Sequence, residues 1–172
     1  MNSSTESELK ELLQSAYRYA YALSSHVEMA EDLVHEGCLK VLKKYGATPD
    51  KPLLFRVIRN LYIDDFRHRQ KFPADPIDEI ELADHLALDP VAHASTDHRL
   101  AAALLTLRDA EREALFLWVF EGYTAAEIGK LNNQSRSTIL SLIHRAKAKL
   151  RLQLESTATT QLRVVGNRRS DS

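Results

Sequence analysis

The sequence is poor in the residues that staple, turn or anchor a chain. A single cysteine, Cys38, excludes an internal disulfide and a cysteine-based zinc site. Five glycines and five prolines in 172 residues are too few for a hairpin-rich all-β architecture. No apolar run approaches the ~18 residues of a membrane span, and the opening MNSSTESELK lacks the apolar core of a secretory signal. The expectation is an intracellular, cytoplasmic protein with no membrane insertion. A glycine loop able to cradle phosphate is missing, and no Ser/His/Asp context supports a nucleophile. The seven histidines show no close ligand spacing on one helix face, and Cys38 falls on an apolar stripe, so it reads as core. No metal, no cofactor and no enzymatic activity are expected. What remains is ordinary globular composition, 44% hydrophobic and 27% charged, at a length between one domain and two small ones.

The net charge of −1 hides a segregation. Residues 1–71 carry eleven Lys and Arg against ten Asp and Glu. Residues 72–98 carry seven acids and no Lys or Arg, whereas residues 99–172 carry twelve basic and seven acidic side chains. Two neutral or basic blocks flank an acidic one, a pattern that suggests nucleic-acid contact by the flanks.

Apolar periodicity predicts helices nearly throughout and no convincing strand. Residues 8–24 place Leu9, Leu12, Leu13, Ala16, Tyr17 and Ala20 on one face. Residues 27–45 repeat the pattern through Ala30, Leu33, Val34, Gly37, Cys38, Val41, Leu42 and Tyr45 until Gly46 stops the helix. Pro52 suits the first turn of a third helix, about 53–70, whose stripe is Leu54, Val57, Ile58, Leu61, Tyr62 and Phe66. The pattern then fades, with one short helix near 78–88. It resumes over 97–106, 109–121, 124–131 and 135–153, before a polar tail. The expected fold is all-α: two small helical domains, 8–71 and 99–155, joined by an acidic flexible linker, 72–98, and followed by a mobile tail, 156–172.

The second domain carries the sharper pattern. Thr124 precedes Glu127 by three residues, a capping-box start, and Asn132-Asn133-Gln134 is a turn of left-handed-tolerant residues. Ser135 caps the next helix, which turns Ile139, Leu142, Ile143, Ala146 and Leu150 inward. Ser137, Ser141, His144, Arg145 and Ala148 face outward, with Arg136, Leu140 and Lys147 on the flank, and residues 136–151 hold five cations and no acid. A short helix, a tight turn and a longer basic helix outline a helix-turn-helix. Short polar groups near the N-terminus of such a helix reach base edges, and cations farther along meet phosphates. The simplest alternative is a helical hairpin with a solvated basic face.

These residues resemble a known family. Glu127-Ile128-Gly129 through Ser137-Thr138-Ile139 to His144-Arg145-Ala146-Lys147 is similar to the DNA-binding region four of bacterial sigma factors, as is the upstream stretch Leu104–Arg108 with Glu111-Arg112-Glu113. In the first half, Ala30-Glu31-Asp32-Leu33-Val34-His35-Glu36 and Phe55-Arg56-Val57-Ile58-Arg59-Asn60-Leu61-Tyr62-Ile63-Asp64 resemble sigma region two. Both blocks stand in register over about residues 8–153, as in the extracytoplasmic-function class, which has only these two domains.

The resemblance implies a protein that binds core RNA polymerase and directs promoter recognition and transcription initiation. An acidic helix would dock on the polymerase β′ clamp through Glu31, Asp32 and Glu36; Asp32 and Glu36 lie one turn apart on one flank. Arg56, Arg59, Asn60 and Arg67 would contact the minus-ten element. Arg136, Ser137, Thr138, Ser141, His144, Arg145 and Lys147 would contact the minus-thirty-five element, and region four would reach the β flap. An anti-sigma factor is a further implied partner, and the acidic linker suits a polyanion crossing a cationic cleft.

Some residues depart from the pattern. Asn133 replaces the turn glycine, and Leu140 and Leu142 replace a usual Lys and Arg, which removes a phosphate contact and leaves Leu140 suited to a protein partner. Glu36 and Lys40 could form nothing more than a solvated i, i+4 pair worth ~0.3 kcal/mol. Two other functions stay open: a helix-turn-helix regulator acting without polymerase, and a sigma-like decoy that does not itself initiate transcription.

Overall fold

The computed structural model describes residues 3–46, 50–71, 100 and 102–166. The expected linker with its short helix near 78–88 and the end of the tail lie outside the described residues. Every regular element among the described residues is a helix: α1 (Ser3–Ser24), α2 (Val27–Tyr45), α3 (Lys51–Lys71), α4 (Asp109–Val119), α5 (Ala125–Asn132) and α6 (Arg136–Gly166).

The first three helices pack on one another around Ala16, Tyr19, Ala20, Leu23, Ala30, Leu33, Val41, Leu54, Phe55 and Ile58. Gly37 brings α2 close to α3, where an added Cβ would sit 3.1 Å from Ile58 Cγ1. The α2 terminus forms as its sequence predicts: Gly46 takes φ 64° and donates its N–H to the Leu42 carbonyl. The third helix begins at Lys51, and Asp50 Oδ1 accepts from the Leu53 N–H at 2.8 Å, an N-cap that the loop's two prolines had obscured.

In the second half, α4 packs on α6 and on α1, and α5 packs on α6. Both halves of the predicted capping box form: Thr124 Oγ1 accepts from the Glu127 N–H at 3.3 Å, and the Thr124 N–H donates to Glu127 Oε2 at 2.8 Å. Asn133 takes the left-handed conformation, φ 53°, and the Gln134 N–H closes the turn onto the Gly129 carbonyl. Ser135 Oγ accepts from the Thr138 N–H at 3.1 Å and caps α6. Ile139, Leu142, Ile143 and Ala146 are buried as the wheel requires.

Three expectations change. Phe55 and Tyr19, absent from the predicted stripes, are fully buried and stack at 4.4 Å between centroids, while Phe66 is exposed. The backbone of residues 156–166 continues α6 past Glu155, because STATTQLRVV contains neither glycine nor proline to end a helix. The two halves also touch, since α4 packs against α1 and α5 against α3.

Thr124→Ala removes the hydroxyl that satisfies an orphan N–H at the start of α5. The expected loss is about 1 kcal/mol of stability in denaturant melts; an unchanged midpoint would mean the cap contributes nothing.

Candidate polymerase and nucleic-acid surfaces

Three charged faces come out of this packing. On α2, the apolar stripe turns Leu33, Gly37 and Val41 inward, so Glu31, Asp32 and Glu36 are exposed on the opposite side. The pair anticipated as a simple solvated bridge is present: Lys40 Nζ lies 3.0 Å from Glu36 Oε1, with both side chains more than half exposed.

On α3, Arg56, Asn60 and Arg67 are exposed. Beside Asn60, a groove lined by Lys40, Lys44, Tyr45 and Asp64 runs between α2 and α3, and Lys44 Nζ stands 5.3 Å from the Tyr45 ring centroid. Cations next to an aromatic face suit unpaired nucleic acid. Arg59 is placed differently from its expected outward position. Its side chain is 18% exposed, and its Nε donates to Glu113 Oε1 of α4 at 2.9 Å. The i, i+3 spacing that aligned it with Arg56 holds, but α4 covers that part of the face.

On α6, Arg136, Ser137, Thr138, Ser141, His144, Arg145 and Lys147 are all exposed, and α6 follows the tight turn from α5. Ser141 Oγ donates to the Ser137 carbonyl at 3.0 Å, and Arg145 Nε donates to the Ser141 carbonyl at 3.3 Å. Leu140 is exposed beside Trp118 of α4, and Lys147 Nζ lies 5.1 Å from the Trp118 ring centroid. Lys149 is committed elsewhere: its ammonium donates to Glu111 Oε2 at 2.7 Å. Among the described residues no group of His, Cys, Asp and Glu could hold a metal ion, and no helix is long and apolar enough to cross a membrane.

Residues 9–72 match sigma-70 region 2, and residues 97–150 match sigma-70 region 4. The chain belongs to the sigma-70 family, in its extracytoplasmic-function class. It is 27% identical to the extracytoplasmic-function sigma factor SigM of Bacillus subtilis over 143 residues, which cover 81% of this chain and 88% of SigM. It is 29% identical to the sigma factor EcfG of Rhodopseudomonas palustris over 156 residues, 87% of this chain and 84% of that one. Among solved structures, the sigma factor RpoE of Bartonella quintana, crystallised with the anti-sigma factor NepR, superposes with a TM-score of 0.73 at 25% identity. That match covers 90% of this chain and 98% of the other.

The sigma factor holds its region-four bundle together with a buried charged group, whose residues the sequence offered only as part of the family resemblance. Glu111 is 1% exposed and accepts from Lys149 and, at 3.2 Å, from the Arg108 N–H. Burial pushes its carboxyl up, but the Lys149 ammonium and the Arg108 N–H outweigh that, and its pKa lies below the ordinary carboxylate value. Arg112 and Glu113 are buried as well. The available signal was the run Glu111-Arg112-Glu113 itself: three successive residues span about 200° of a helix, more than a solvent-facing side can hold when both flanks pack.

Because the Glu111 pKa is lowered in the folded state, its stabilisation is present above about 4.5, the unfolded value, and is lost as the pH falls through the lowered value. Glu111→Gln should therefore melt at lower temperature at neutral pH and lose less on acidification than the parent. Thermal melts from about pH 7 to about pH 3 read this out, and parallel acid limbs would contradict it.

Proposed function

We propose that this sigma factor divides its work between the two helical units. The unit at 8–71 docks on core RNA polymerase and engages the minus-ten element, and the unit at 99–155 engages the minus-thirty-five element. Sigma factors are transcription-initiation factors and not enzymes by themselves, and the two matched regions occur here in order. The observation that carries the reading is the pairing of an exposed acidic face on α2 with an exposed basic face on α6 that is free of acids over residues 136–151, in one chain.

Glu31, Asp32 and Glu36 supply the polymerase contact, on the β′ clamp. The exposure of all three and the flank shared by Asp32 and Glu36 support this, and the Glu36–Lys40 pair at 3.0 Å is weak enough to be exchanged for a partner's cation. Arg56, Arg59, Asn60 and Arg67 form the minus-ten surface, Arg59 joining it once α4 moves aside. Arg136, Ser137, Thr138, Ser141, His144, Arg145 and Lys147 form the minus-thirty-five surface, with the hydroxyls near the helix start facing base edges and the cations facing phosphates. Region four also contacts the β flap. The acidic segment 72–98 crosses a cationic cleft of the polymerase. The protein works in the cytoplasm, where polymerase is, and an anti-sigma factor holds it in reserve; the structural relative's crystallisation with an anti-sigma factor supports that partner.

A titration of labelled protein with core polymerase tests the docking face. Asp32→Ala with Glu36→Ala is expected to weaken holoenzyme formation at least tenfold while leaving the thermal midpoint within a few degrees, a surface change costing at most about 0.5 kcal/mol of stability. Unchanged affinity would remove the assignment. Arg145→Ala should weaken binding to a minus-thirty-five duplex and reduce the slope of log affinity against log salt by about one phosphate contact. An unaltered slope would place the duplex on another face.

A further inference from the structure

Within residues 136–151, the large apolar side chain that stands exposed on the basic face of α6 is Leu140, with 44% of its surface open to solvent. It is the middle member of a row spaced one helical turn apart, Arg136, Leu140 and His144. That row runs beside a second one, Ser137, Ser141 and Arg145, and all six side chains are exposed. The buried set of Ile139, Leu142, Ile143 and Ala146 occupies the other side of the helix, so Leu140 has no place in the core. The short polar groups around it are drawn back onto their own helix. Ser135 Oγ lies 2.9 Å from Ser137 Oγ and 2.8 Å from Thr138 Oγ1, and Ser141 Oγ donates to the Ser137 carbonyl. Leu140 stands out between them.

The charges beside this leucine decide what can cover it. Arg136, Arg145 and Lys147 are exposed on the same side, and residues 136–151 contain no acid. A protein that buried Leu140 would have to bring several carboxylates to match those cations, whereas duplex DNA brings that charge in its phosphates. Once the face lies against a duplex, the leucine meets what the groove offers. The major-groove edges of the base pairs present hydrogen-bond donors and acceptors, and their apolar exception is the C5 methyl of thymine. Against a donor or acceptor, Leu140 would strip a polar group of water and return no hydrogen bond. Against the methyl, apolar surface is buried on both sides.

We propose that Leu140 is a base-reading residue of this sigma factor, which selects thymine by its C5 methyl group in the duplex that α6 engages. The contact favours thymine over uracil and cytosine, which lack the methyl. Where the family pattern places a cation directed at phosphate, this chain carries an apolar reader, so the departure changes which sequence is preferred as well as how tightly it is held. The inference rests on the assignment of α6 to the minus-thirty-five element made above.

Holoenzyme assembled from core polymerase and the full chain, used to select duplexes from a randomised pool, gives the preferred upstream element. Each thymine of that element is then replaced singly by uracil, which removes the methyl and leaves the pairing edge intact. Affinity is read by fluorescence anisotropy for the parent and for Leu140→Ala. Burying one methyl group corresponds to about a fourfold change in affinity. The parent is expected to lose about that factor at one thymine or two neighbouring ones, whereas Leu140→Ala is weaker on the thymine duplex and loses nothing further on uracil. An element without thymine, no uracil penalty at any position, or a penalty equal in both proteins would overturn the proposal while leaving α6 on the duplex. Leu140→Ala that binds core polymerase less tightly with its base preference unchanged would contradict it and place a protein on the leucine. Arg145→Ala that selects and binds duplexes as the parent does would remove α6 from DNA, and both assignments with it.

Discussion

A carboxylate removed from water must be matched by donors or it costs more than its burial returns. Glu113 is matched across the seam between the two units: the Tyr19 hydroxyl and the Arg59 guanidinium both point at one of its oxygens. Burial still prevails over these donors and over Asn132, and its pKa stands above the ordinary carboxylate value. The rest of the arrangement follows from that requirement. Tyr19 is held against Phe55 on one side and Phe116 on the other, which joins the apolar core of region two to that of region four. Arg112, one residue earlier, meets the carbonyl end of α1, where a cation is favoured by the helix dipole. Helix α4 therefore belongs to both units, with Glu111 tied to α6 and Glu113 tied to α1 and α3.

This double membership gives a physical relation between fold and function. The acidic face of α2 lies on the side of region two that α4 does not touch, and the basic face of α6 is likewise open. Of the three charged faces only that of α3 is partly covered by region four, at Arg59.

Much of the site was legible in the sequence where the signal was local. The box of Thr124 and Glu127, the left-handed Asn133, the Ser135 cap and the inward set Ile139, Leu142, Ile143 and Ala146 depend on neighbours within a turn or two, and each formed as read. The exposure of Glu31, Asp32 and Glu36 followed from the apolar stripe behind them in the same way. What the pattern did not carry was contact at long separation. Arg59 shares the outward spacing of Arg56 and Asn60, and nothing near it indicates that a residue 54 positions later will cover it. Tyr19 falls off the α1 stripe because its place is defined by Phe55 and Phe116, not by α1 alone. Leu140, read as a lost phosphate contact, turns out to lie beside Trp118. The continuation of α6 past Glu155 was missed because polarity was weighed above the absence of helix breakers in residues 156–165.

The central claim is that the chain directs polymerase to promoters. In vitro transcription of genomic DNA from the source organism by core polymerase, with and without the purified protein, tests it most directly when the RNA 5′ ends are mapped. The account predicts new 5′ ends at a small set of discrete positions that appear only with the protein and share a common pair of upstream elements. Core polymerase that binds the protein yet produces no such ends would contradict it and leave a sigma-like decoy.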